Sequence, residues 1–179
     1  EYGDGAVAGW AVVSRITVVA FGGIFALSGA IGGIFGQNYG AGQLTRVVST
    51  YRDSLIFSVL YVCLAWAVLF MMRGPIISVF GLGIEGAEIV YAFTNLAAGG
   101  FGFTGLLFVS NAAFNNLGRP IWSTGFNWLR DGLLMFPLCW YLGDILAGRG
   151  VVYGNALAAV FAGSIAALIA WRFVNRLGE

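Results

Sequence analysis

Residues 16–45 read ITVVAFGGIFALSGAIGGIFGQNYGAGQLT, thirty positions without one charged side chain. A hydrocarbon core of about 30 Å takes roughly 20 helical residues to cross, so this stretch alone is long enough to span a bilayer. Its apolar character is continuous, whereas a barrel strand would alternate over about ten residues, so the run predicts a helix. Outward from it the charges fall into clusters separated by further apolar runs. The expectation is an all-α, polytopic membrane protein of five transmembrane helices, at about 10–38, 46–72, 85–117, 120–143 and 150–173, packed as one bundle over 1–179.

Composition agrees. Of 179 residues, 59% are hydrophobic and 9% charged, against about 25% charged in a soluble domain, so most of the surface faces lipid. A net charge of +1 with no basic run excludes a nucleic-acid partner. The absence of His removes histidine-based zinc sites, Ser-His-Asp triads and Cys-His pairs. Cys63 and Cys139 lie in apolar stretches and read as small buried side chains. No catalytic residue, metal ligand or cofactor site is assigned, and an enzyme is not expected.

Punctuation sets the borders. Gly40, Ala41 and Gly42 close the first span, Arg73, Gly74 and Pro75 end the second, and Gly118, Arg119 and Pro120 make a stop and restart. Glu85 and Glu88 stand where the third helix begins and meet the positive end of its dipole. Alternate loops differ in charge. Arg46, Arg52, Arg119, Arg172 and Arg176 share one side; Arg73 and Arg149 fall on the other with Glu1, Asp4, Glu85, Glu88 and Asp144. The positive-inside rule makes the first side, and with it the C-terminus, cytoplasmic. Trp10, Trp140, Tyr141 and Trp171 are placed at the interfaces. With no initiating Met and no signal-peptide pattern, the chain is expected to be a fragment whose upstream spans are missing.

Polar groups inside spans are costly, so each has a functional and a packing interpretation. Ser123, Asn127, Arg130 and Asp131 recur at spacings that share one face of the fourth span; Arg130 and Asp131 belong either to a solute or ion pathway or to a structural ion pair. Thr104, Asn111 and Asn115 share a face of the third span, whose Gly99, Gly100, Gly102 and Gly105 mark a hinge or close packing. Gly29, Gly32, Gly33, Gly36 and Gly40 form a four-residue ladder expected to pack helices closely. Arg15 is expected to snorkel or pair.

The heptapeptide Gly36-Gln37-Asn38-Tyr39-Gly40-Ala41-Gly42 resembles the Gly-Gln-Asn-x-Gly-Ala-Gly signature of the multidrug and toxic compound extrusion family. Asn111 to Pro120 (NAAFNNLGRP), then Ser123, Thr124, Asn127, Trp128 and Arg130, with Pro137 beyond, resembles the stretch joining that family's tenth and eleventh helices. The resemblance implies most of the C-terminal six-helix lobe of a twelve-helix antiporter, with the N-terminal lobe of the same polypeptide as its partner. It implies alternating-access export of small organic, often cationic, compounds or drugs across a bacterial inner membrane, in exchange for protons or sodium. Thr104 stands near the acidic cation ligand of NorM-like members and cannot carry its charge. The coupling carboxylate is therefore expected in the missing lobe, with Asp131 the alternative. The rival readings are a lipid or oligosaccharide flippase of related architecture and a small channel or structural membrane subunit.

Overall fold

A computed structural model describes residues 3–178, and Glu1 of the outer charge cluster lies outside them. The described residues form six helices and no strand: α1 (Asp4–Ala20), α2 (Gly22–Gly40), α3 (Leu44–Val79), α4 (Ile84–Asn116), α5 (120–146) and α6 (Gly148–Gly178). By length and composition α3, α4 and α6 can each cross a membrane, and α1 with α2 makes a fourth, broken span bent by 47°. The expected fourth span, 120–143, is a continuous helix but is not among them, because Arg130, Asp131 and Asp144 dilute its apolar character.

The expected first span, 10–38, is therefore two helices, and the cause is local. Phe21 leaves the helical region (φ −106°, ψ 14°) and two glycines follow it. The Tyr61 hydroxyl of α3 enters the gap, donating to the Ala20 carbonyl at 2.9 Å and accepting the Gly23 N–H at 3.2 Å. A Cβ on Gly23 would lie 2.6 Å from the Tyr61 ring, so a side chain there would displace the plug. Phe21 is fully buried and stacks on Phe101 of α4, ring centroids 4.3 Å apart. The kink is held by contacts on both sides rather than by a loose backbone.

The second expected border fails for a different reason. Helix α3 runs through Pro75 to Val79, so the lost backbone bond and the ring's clash with the carbonyl four positions back do not end it. The stop comes at Gly81, whose φ of +58° a side chain would resist. The other two glycine borders are as expected. Gly42 (φ +69°) and Gly118 (φ +85°) sit in the left-handed region, and past them the Gln43 N–H reaches the Asn38 carbonyl and the Arg119 N–H the Phe114 carbonyl, both at 2.8 Å. These are helix caps of the glycine type.

Two helices are locally widened into π turns, Phe93–Ala97 in α4 and Leu129–Met135 in α5. Pro137 follows the second within two residues; its ring opposes the carbonyl four positions back, and a wider preceding turn relieves that clash.

Close helix packing falls on other glycines than the ladder. Gly29, Gly33 and Gly40 have open space where a Cβ would be; only Gly32 and Gly36 meet a neighbour, the Asn116 amide at 2.9 Å and 3.7 Å. The tight backbone contacts belong to Gly9 of α1, which abuts Gly86, and to α4 and α6. A Cβ on Gly154 would lie 2.7 Å from the Cys139 backbone, one on Gly163 would strike the Phe103 carbonyl, and Gly99 and Gly100 abut Trp66 and Ala156. Packing is thus what the glycines of the third expected span do. Buried apolar side chains form two clusters, one around Phe21, Ile24, Val62, Val90 and Phe93, the other around Phe35, Tyr51, Phe114 and Val174. In the second, the buried Tyr51 hydroxyl bonds Ser110 Oγ at 3.0 Å and the Ala167 carbonyl at 3.2 Å, joining α3, α4 and α6.

Tyr61→Phe keeps the ring at the α1–α2 break and removes both hydrogen bonds. At about 0.5–1.5 kcal/mol per bond, stability is expected to fall by about 1–3 kcal/mol, read as a lower melting temperature of the purified protein in detergent. An unchanged melting temperature would show that the break does not depend on the hydroxyl.

Candidate functional site

Where the broken and widened helices meet they line a half-open cavity of about 330 Å³. Helix α1 contributes Trp10, Val13, Ser14 and Thr17, and α2 contributes Phe25 from just beyond the break. From α4 come Phe93 and Ala97 of its π turn, then Gly100, Phe101, Thr104 and Phe108; from α6 come Val152, Asn155, Ala156 and Ala159. Arg130, in the π turn of α5, closes the side. The walls are mainly aromatic and aliphatic, with a few separated polar groups, which is the usual make-up of a small-molecule site. Phe25 packs edge-on against Phe101 at 5.8 Å, so the rings at this end are fixed by one another.

The structure brings together two of the expected pathway residues here, Thr104 and Arg130. Asn111 and Asn127 make a separate bridge between α4 and α5: Asn111 Nδ2 donates to Asn127 Oδ1 at 2.9 Å, while the buried Asn111 Oδ1 has no partner. Asn115 is exposed. Asp131 is also exposed and lies off the cavity wall, although its Oδ1 accepts from Arg130 Nε at 2.7 Å. The face expected to hold Ser123, Asn127, Arg130 and Asp131 is divided: adjacent positions 130 and 131 diverge by about 100° on a helix, and Arg130 lines the cavity while Asp131 does not.

Signature residues do structural work. Gly36 faces Asn116, Gln37 is exposed with its carbonyl taking the Ala41 N–H at 3.0 Å, and Asn38 Nδ2 donates to the Ile34 carbonyl at 2.8 Å. Gly42 and Gly118 are the caps described above, and Pro120 opens α5 at its first position. Arg15 is exposed and makes no ion pair among the described residues. Trp10, expected at an interface, lines the cavity and is 38% exposed. Sequence reasoning missed Ser14, Thr17 and Asn155; Asn155 carried a signal, as the one amide in the run 150–171. Among the described residues no group of three His, Cys, Asp or Glu could hold a metal ion.

A multi-pass helical membrane protein with a solute-sized cavity at the junction of discontinuous helices has the architecture of a membrane transporter. The chain belongs to the MatE family, whose model matches residues 1–141. It is 27% identical over 174 residues, 97% of its length, to a protein of Shewanella oneidensis called "FAD transporter", of which that covers 38%. It has the fold of the Vibrio cholerae MATE transporter VcmN in its bent form (TM-score 0.87, 21% identity, 98% of this chain and 41% of that one). It also shares the fold of a multidrug resistance MATE family transporter of the MOP superfamily solved in an outward-facing conformation (TM-score 0.89, 16% identity, 98% and 40%). The chain thus spans about two fifths of the length of these proteins.

The asparagine bridge gives an asymmetric expectation. Asn127→Ala leaves the buried Asn111 amide without its partner and is expected to cost about 1–3 kcal/mol. Asn111→Leu removes donor and orphaned acceptor together, leaves only the half-buried Asn127 to be met by water, and should cost less. Thermal melts of the two variants side by side check the order, and the reverse order would show that the bridge is not what stabilises this contact.

Proposed function

We propose that the chain is most of the C-terminal lobe of a secondary exporter that expels small organic, often cationic, compounds in exchange for protons or sodium. The observation that carries this is the cavity, placed where α1–α2 is broken and α4 is widened, so that the interrupted helices are also the walls of the solute site. Such helices can change their packing without breaking a regular hydrogen-bond ladder, which is what alternating access requires. The N-terminal lobe of the same polypeptide completes the pathway and supplies the coupling carboxylate, since among the described residues no carboxylate lines the cavity. The protein lies in a bacterial inner membrane with the C-terminus on the cytoplasmic side, as the arginine distribution asks. A lipid or oligosaccharide flippase would need a more strongly charged cavity than the single Arg130 provides.

The test is efflux of ethidium from proteoliposomes holding the complete transporter. A proton or sodium gradient imposed across the membrane should drive it, and no efflux under either gradient overturns the proposal. Thr104→Phe, which fills the cavity from α4, is expected to weaken solute affinity about tenfold, the counterpart of about 1.4 kcal/mol, with expression retained. Leu60→Phe, at a side chain 65% exposed on the outer face of α3, should export like the parent. Equal behaviour of the two variants would remove the cavity from the pathway.

A further inference from the structure

We propose that this cavity recognises planar aromatic solutes bearing an anionic group, with Arg130 holding the anion and the aromatic walls holding the ring; the proposal rests on the exporter reading above. Among the described residues that line the cavity, Arg130 is the one charged group, and its side chain is only 23% exposed. Asp131 takes the Nε side of the guanidinium, at 2.7 Å. The two terminal nitrogens, with four N–H donors between them, have no partner among the described residues. Asp131 is itself 47% exposed and off the wall, and it offsets the guanidinium charge from the Nε side only. What faces the cavity is the outer edge of the guanidinium, framed by apolar walls.

A solute cation entering this space would find no carboxylate among the described lining residues. A carboxylate, sulfonate or phosphate would meet a planar fork suited to two parallel hydrogen bonds. The rest of the solute is defined by Trp10, Phe25, Phe93, Phe101 and Phe108. Phe101 is already clamped between Phe21 and Phe25, which fixes it before any ligand arrives, and fixed rings lower the ordering cost of binding a flat solute.

Flavin mononucleotide and riboflavin make a matched pair, sharing a ring system and differing by the phosphate. Their binding to the complete transporter in detergent is read by flavin fluorescence. The mononucleotide is expected to bind about tenfold more tightly than riboflavin, and Arg130→Gln should bring the ratio close to one. Arg130→Lys, which keeps the charge and loses the fork, should retain part of the preference, and Asp131→Asn, which removes the competing carboxylate, should keep or raise it. Riboflavin binding as tightly as the mononucleotide, or a ratio that neither Arg130 variant moves, overturns the inference. Ethidium efflux separates it from the exporter reading. Efflux without phosphate preference defeats the anion site alone, and phosphate preference in a protein that exports nothing under either gradient defeats the exporter reading and leaves the site.

Discussion

A backbone N–H or C=O released from its ladder inside hydrocarbon finds no water, so every interruption of a membrane helix has to be closed by protein. This constraint organises the chain. At the α1–α2 break Tyr61 closes both sides with a single hydroxyl. In the π turn of α4 the Trp66 indole N–H reaches the Thr94 carbonyl at 2.6 Å, and Thr94 Oγ1 returns to the Val90 carbonyl at 2.8 Å. Both closing aromatics come from α3, the longest helix, whose outer side meanwhile presents residues such as Leu60, Leu64 and Met71 to lipid. One helix thus carries an exposed apolar side and clamps two of the three interruptions beside the cavity.

The cavity in turn depends on how near α6 can come to α4 and α5. Apolar side chains gain little by leaving lipid for protein, so helix association in a membrane rests on close van der Waals approach and a few hydrogen bonds. Gly154 and Gly163 let the α6 backbone lie against α5 and α4, and Gly100 does the same from the α4 side against Ala156. That approach brings Asn155 to the cavity wall, beside Ala156 and Ala159. At the other end Tyr51 joins α3 to α4 and α6 through Ser110 and the Ala167 carbonyl. The molecule is stiff around Tyr51 and interrupted around Phe21, and the solute site belongs to the interrupted half.

Much of this was legible in the sequence because lipid imposes coarse rules. Apolar run length located the helices, and the positive-φ glycines at 42 and 118 are where the Gly-rich borders were expected. What escaped were effects decided by partners distant in sequence. Nothing in residues 16–45 says that a hydroxyl from position 61 will enter at Gly23. The glycine ladder of α2 and the glycines of α6 look alike as strings, yet only the latter face another backbone. Pro75 looked like a terminator because its cost is easy to state and its tolerance near a helix end depends on where the next left-handed glycine lies.

The least legible feature was the π turn of α5, which holds both Arg130 and Asp131. Each widened turn adds one residue relative to the α-helical ladder, which rotates everything beyond it by about 100°. Read as a regular helix, Arg130 and Asp131 sit on one polar face with Asn127, and the pair looks like a neutral unit in a pathway. In the structure Arg130 lines the cavity, Asp131 is exposed off its wall and Asn127 pairs with Asn111, as the divergence of about 100° between adjacent helical positions allows. The two charges still touch, so the arginine retains a local counterion while its terminal donors are presented to the cavity. Keeping a guanidinium inside a membrane helix is costly, and a counterion on the adjacent residue lowers that cost.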